Sequence, residues 1–195
     1  VQAQAWPSKP IRMVVAFAPG GPADIVARLA AQAMQEKLGQ QVIVDNRGGA
    51  GGNIAARLVA KEPADGYTLL VTTSSLAVNQ TLYKDPGFDV LRDFTPIASL
   101  AVSPNILVVH PSDPSSNLQD FLKANKGKSV SYGSAGIGST PHLTGDQVLR
   151  KLGGLEVVHV PYQGAAPALQ ATVDHQVQVA SVARLAAEPL VRGGE

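Results

Sequence analysis

The sequence predicts an α/β fold in two lobes. Apolar, strand-like runs alternate with helical patterns over residues 11–83 and again over 105–192, with an irregular stretch between them. Loops rich in Gly, Ser and Thr follow most of the strand-like runs near Gly20, Gly48, Ser74, Gly136 and Gly164. In a parallel sheet such loops line up along one edge, where these folds bind ligands. At 195 residues the chain has room for two lobes of ordinary size. Their expected bounds are 6–100 and 101–195.

In the first lobe, Ile11 to Phe17 reads as a buried strand. Pro22 suits the first turn of the next helix, Lys37 its last turn and Gly39 its C-terminal cap. Ile25, Leu29 and Ala33, with Val26 and Ala30, form the expected apolar face of that helix. A strand over 41–45, the glycine loop "NRGGAGGN", a helix over 54–61, a strand over 68–73 and a helix over 76–83 follow. This βαβαβα order predicts a parallel sheet with helices on both faces. Phe94 to Ala101 is expected to be a strand leaving the first lobe.

The second lobe begins with a strand over 105–110. Ser116-x-x-Gln119 has the form of a capping box and opens a helix through Lys123. A strand over 129–132 leads into "GSAGIGSTPH". Thr140 is expected to cap the next helix, with Pro141 at its first position and an end near Gly153. A strand over 155–160, a helix over 167–174, a strand over 177–182 and a helix over 186–192 complete the pattern.

Composition excludes several classes of function. The chain is 45% hydrophobic and 16% charged, with sixteen basic and fifteen acidic residues and a formal net charge of +1. It lacks the basic block or aromatic–basic stripe of a nucleic-acid binder. Its apolar runs fall short of the roughly 20 residues a membrane helix needs. With no cysteine, disulfides, thiolate metal sites and a Cys nucleophile are excluded. Ser134 and Ser139 lack the Gly two positions earlier that a nucleophile elbow requires. The glycine loops spell neither a dinucleotide nor a phosphate-loop motif. The four histidines, 110, 142, 159 and 175, lie far apart without metal-ligand spacing. No catalytic residue, metal or cofactor is expected. Ala3-Gln4-Ala5 has the small-x-small form of a signal-peptidase site.

Three loops carry recognition chemistry. In "PGGPAD", Gly20 and Gly21 allow close backbone approach, and helix N–H groups point outward to an anion. Asp24 either stabilises the helix dipole and pairs with Arg28, or faces a ligand's amine directly or through water. "GSAGIGSTPH" offers Ser134, Ser139 and Thr140 at a helix start, either as a carboxylate cradle or as an ordinary loop and cap. His142, in the first turn, should be neutral and hydrogen-bonded. Tyr162 in "VPYQGAAPA" either walls a cleft or packs.

These motifs together resemble the substrate-binding proteins of tripartite tricarboxylate transporters, the Bug receptors. "WPSKPIRMVVAFAPGGPADIVAR" resembles the N-terminal signature, and "VIVDNRGGAGGNIAARLVAKEPADGYTLLV" the second segment. "SYGSAGIGSTPHL" and "VHVPYQGAAPAL" resemble the two ligand loops of the second lobe. The resemblance implies a two-lobed periplasmic binding protein of type II, Venus-flytrap-like. It implies capture of a dicarboxylate, tricarboxylate, amino acid or aromatic acid between the lobes and delivery to membrane permease subunits. It further implies secretion to the periplasm through a cleaved signal peptide. Ligand contacts carry over onto Gly20, Gly21 and Asp24, onto Ser74 and Ser75, onto Ser134, Gly136, Ser139, Thr140 and His142, and onto Tyr162 and Gly164. Pro22 removes a backbone donor where the family often has another Gly or a small polar residue. "DHQ" before the last strand and Val182-Ala183-Arg184 after it also depart from the family pattern. Family chains are longer and return to the first lobe. The expectation is a C-terminally truncated chain with an incomplete first lobe that self-associates or binds weakly. A ligand sensor for a membrane kinase and a hydrolase on the same fold are the alternative functions.

Overall fold

The computed structural model describes residues 6–194; the signal-peptidase-like tripeptide Ala3–Ala5 lies outside them. The chain forms two compact α/β units that divide between Val102 and Ser103.

The first unit is built on a parallel sheet of order β2-β1-β3. Its strands are β1 (Ile11–Val15), β2 (Val42–Asn46) and β3 (Thr68–Val71). β1 is central because its residues bury on both faces. Ile11, Met13 and Val15 pack against Ala27 and Ala31 of α1 (Pro22–Leu38). Arg12 points the other way and binds Asp45 at 2.6 Å and Glu62 at 3.3 Å. α1 opens with Pro22 in its first turn and closes at Gly39, whose φ of 66° is the left-handed cap. Its buried face differs from the expected one. Leu29 is 64% exposed, and Ala33 is exposed. The stripe against the sheet is Ala23, Ala27, Ala30, Ala31, Met34 and Leu38. Alanines let the helix axis approach the sheet closely, and Leu29 lies two positions, or roughly 200° of helix rotation, from Ala27.

After β2 the glycine loop makes a 3₁₀ turn (Ala50–Gly52) and enters α2 (Asn53–Val59). α3 (Ser75–Leu82) follows β3, and a short α4 (Val90–Asp93) follows α3. The strand expected over 94–101 is absent. Asp89 caps α4 by accepting from the Leu91 and Arg92 N–H groups at 2.9 and 3.0 Å. Beyond it, residues 94–104 join no strand ladder, and Ile97 is 79% exposed. Pro96 and Pro104 cannot donate to a ladder.

The second unit has a sheet of order β4-β7-β5-β6. Its strands are β4 (Asn105–Val109), β5 (Ser129–Ser134), β6 (Glu156–Pro161) and β7 (Val179–Ala183). β5, β6 and β7 are parallel, whereas β4 runs antiparallel to β7. Alternation of apolar runs carries no information on the direction of a strand reached through an irregular segment. β7 divides the core by its period of two. Val179 joins Phe121, Val130, Tyr132, Leu149, Leu155 and Val157 on one face. Ala180 and Val182 join Ala165, Ala168, Leu169 and Ala187 on the other.

Two caps sit one residue from their expected places. α5 (Leu118–Ala124) is capped by Asn117, which accepts from the Asp120 N–H at 3.0 Å and donates to the Asp120 carboxylate at 2.8 Å. This Asn-x-x-Asp pair, rather than Ser116-x-x-Gln119, forms the reciprocal cap. α6 (Thr140–Gly145) is capped by Ser139 rather than Thr140, and it continues as a π-helical segment over 146–152. α7 (Ala165–Val173) follows β6, and α8 (Arg184–Gly193) follows β7.

Candidate functional site

In the first unit the loops after β1, β2 and β3 emerge at one sheet edge, as parallel strands require. Gly20, at φ 78°, turns the chain, and Gly21 is the N-terminal cap of α1 with no side-chain bond. Asp24 is 3% exposed. One carboxylate oxygen accepts from the Gly20 N–H at 2.9 Å and from Arg28 Nε at 3.0 Å; the other accepts from Asn46 Nδ2 at 3.0 Å. Burial alone would raise this carboxyl's pKa, but the bonds from Arg28, Gly20 and Asn46 outweigh it and hold the pKa below the ordinary value. Asp24 thereby joins the loop after β1, the first turns of α1 and the end of β2. Ser74 is exposed at the start of α3. Ser75 is buried, accepting from Thr73 Oγ1 at 2.9 Å.

Sequence reasoning passed over Asn53 and Asn79. Both are buried, and Asn79 Nδ2 donates to Asn53 Oδ1 at 2.6 Å and to the Gly51 carbonyl at 3.1 Å. The available signal was polarity without an outlet, since Asn79 lies within an otherwise ordinary helix.

In the second unit, the loop from Ser134 to His142 curls at the C-terminal end of β5. Gly136 and Gly138 have φ of 116° and 85°, conformations that L side chains rarely adopt. Ser134 and Ser139 are buried, and their hydroxyls hold the loop together. Ser134 Oγ accepts from the Gly136 N–H at 3.2 Å and shares a 2.7 Å hydrogen bond with His159 Nε2. Ser139 Oγ donates to the Gly136 carbonyl at 2.6 Å and accepts from the His142 N–H at 3.3 Å. Thr140 is half-buried at the loop's end, and the Ile137 side chain is 45% exposed at its tip.

The histidines are not far apart in space. The His142 and His159 rings meet at a tilt with centroids 4.2 Å apart, as do those of His110 and His175 with centroids 4.0 Å apart. Parallel pairing of β5 and β6 brings His159 opposite Tyr132, and the rings lie 4.8 Å apart. The Gly138 N–H donates to His142 Nδ1 at 3.3 Å, so the neutral ring carries its proton on Nε2. Burial pushes His142 below its ordinary pKa, and burial together with neighbouring His142 pushes His159 down to about 4. Burial pushes the Tyr132 hydroxyl up to about 12, and that hydroxyl donates to the His142 carbonyl at 3.1 Å. Among the described residues, no three His, Cys, Asp or Glu side chains gather as metal ligands.

Tyr162 is half-buried. Its N–H donates to the Ser134 carbonyl at 3.0 Å, and its ring covers Gly133, where an added Cβ would stand 3.1 Å from Cε2. Gly164 precedes α7 in extended backbone that any residue adopts. The structure thus brings Ser134, Gly136, Ser139, Thr140, His142 and Tyr162 together at one edge of the second unit. Gly20, Gly21, Asp24, Ser74 and Ser75 lie on loops at one edge of the first.

Residues 26–195 match the family described as tripartite tricarboxylate transporter family receptor. A protein of the tcbD–tcbE intergenic region of Pseudomonas sp. strain P51 is 41% identical over 178 residues, covering 90% of this chain and 52% of that protein. Rpa4515 of R. palustris, solved with adipate, is 37% identical at a TM-score of 0.93, over 97% of this chain and 64% of that one. The periplasmic binding protein BugD is 34% identical at a TM-score of 0.91, over 97% of this chain and 64% of that one. The chain therefore spans about half the length of the curated relative and under two thirds of these solved structures.

Proposed function

Because the chain belongs to the tripartite tricarboxylate transporter receptor family, a family of solute-binding receptors, we propose that it captures a small carboxylate in the periplasm for a membrane permease. The ligand class is a dicarboxylate, tricarboxylate, amino acid or aromatic acid, and the chain itself performs no catalysis. The contacts proposed are the backbone and side chains of the loops that contain Gly20, Gly21, Ser74, Ser75, Gly136, Thr140, His142, Tyr162 and Gly164. Asp24, Ser134 and Ser139 act by shaping those loops.

The observation that carries this reading is the internal bonding of the second unit's loop. The Ser134 and Ser139 hydroxyls bond to Gly136 and Ser139 caps α6, so the loop carries its own hydrogen-bonded frame. A loop already held by its own bonds suits a ligand, because it meets a carboxylate without first having to be ordered. The solved relative that holds adipate supports the ligand class.

Calorimetric titration with adipate, malate, citrate, glutamate and benzoate tests the proposal. Saturable binding of at least one, with no conversion of the ligand on prolonged incubation, is expected. Absence of binding across the whole set, or turnover of a bound acid, would count against it.

A further inference from the structure

The Asn53–Asn79 pair is an unusual thing to bury. Asn79 is 0% and Asn53 1% exposed, and among the described residues Asn53 Nδ2 and Asn79 Oδ1 have no hydrogen-bond partner. Two apolar side chains of similar size would fill this volume without leaving a donor and an acceptor unmatched. What the amides supply is direction. Asn79 Nδ2 grips the Gly51 carbonyl at 3.1 Å and Asn53 Oδ1 at 2.6 Å, so one side chain of α3 ties both the glycine loop and the start of α2.

That loop needs a grip. Gly49, Ala50, Gly51 and Gly52 have φ of 123°, 48°, 62° and 99°, four positive values in succession, one of them at a residue with a Cβ. Such a curl is not held by intrinsic preference at Ala50. Its place matters as much as its shape. A Cβ added at Gly52 would stand 3.3 Å from Ala16 Cβ, 3.6 Å from Ser75 Oγ and 3.7 Å from Phe17 Cζ. Gly52 is therefore where the loops after β1, β2 and β3 converge.

Resting on the proposed receptor function, we propose that Asn79 is a positioning residue for ligand binding. It holds the glycine loop 49–52 in its left-handed curl, and through Gly52 it sets the spacing of the Phe17 and Ser75 loops that meet the carboxylate. Asn79 acts through the backbone of Gly51 and makes no contact with the ligand itself.

The test uses the unchanged protein, Asn79→Leu, and Asn79→Leu combined with Ala50→Gly, with adipate as the probe. Asn79→Leu keeps the branched shape of the side chain and removes both donor bonds; it should weaken adipate binding by at least tenfold while circular dichroism stays native. Ala50→Gly removes the Cβ from a left-handed position and should restore part of that affinity. A residue that only fills space would give no such rescue. If Asn79→Leu does not fold, amide NMR of the unchanged protein decides. Adipate titration should then shift the Gly51 and Gly52 amide signals and the Asn79 side-chain amide. Unaltered affinity in folded Asn79→Leu, or static signals during saturable binding, overturns this inference alone. Failure of adipate and every other tested carboxylate to bind the unchanged protein removes the receptor function and this inference together.

Discussion

Single side chains in this protein do two kinds of work, and burial separates them. Asp24, Ser134 and Ser139 look from their spacing like groups waiting for a ligand. In the fold each has its polar atoms engaged by other protein groups, some in its own loop and some on neighbouring strands. For Asp24 the sequence left two roles open, and the bonds to Gly20, Arg28 and Asn46 describe a residue that braces the loop after β1. The close pair of His142 and His159 leads to a prediction about pH. The groups facing it are Tyr132 and Ser134 from β5 and its loop, and Asp146 and Arg150 from the π-helical segment. Both rings have folded-state pKa values below the ordinary 6.5, His159 at about 4. The unfolded chain therefore binds more protons between those values, and stability falls as pH drops through this window. Denaturant unfolding at pH 7 and pH 4.5 should differ by on the order of 1–3 kcal/mol from this source. His159→Gln, which keeps a hydrogen-bonding group near Ser134, should flatten the slope. A slope unchanged by that substitution would show that the pair does not titrate in this way.

At the scale of elements, the fold turns on which residues cap and which face inward. α1 is held to its sheet by an alanine stripe and Met34, while Leu29 faces outward. Close approach matters more here than side-chain size, because small residues bring many backbone and β-carbon atoms into contact. α5 supports a sharp comparison. Asn117 caps it and Ser116 does not. Asn117→Ala should cost about 1 kcal/mol, the usual value for a lost N-terminal cap. Ser116→Ala should leave stability within about 0.5 kcal/mol, as for other surface changes. Thermal melts of the two variants read this directly, and equal losses would assign the cap wrongly.

Taken whole, the molecule consists of two α/β units, each carrying its loops at the ends of parallel strands. A ligand that binds only the folded form stabilises it by mass action. If the receptor function holds, adipate or malate at a hundredfold excess over its dissociation constant should add about 2.7 kcal/mol. The melting midpoint should rise with ligand concentration, and a diamine of matched length should leave it unmoved. A midpoint that responds equally to diacid and diamine would point to a nonspecific ionic effect.

The alternation of apolar runs with helical patterns was enough to place nearly every strand and helix to within a few residues. The reason is that burial on a sheet face and a helix stripe each impose a period on the chain. Gly39 was legible too as the cap of α1, because left-handed backbone selects glycine. The four motifs sufficed to place the chain in its family. The register of neighbours was not legible. No local pattern says that β4 runs antiparallel, that residues 94–101 remain unpaired, or that His159 comes to rest on His142. Nor does one say that Asn79 reaches back to Gly51. Those facts depend on groups separated by up to several dozen residues meeting across strands and helices, and only the packed fold brings them within hydrogen-bonding distance.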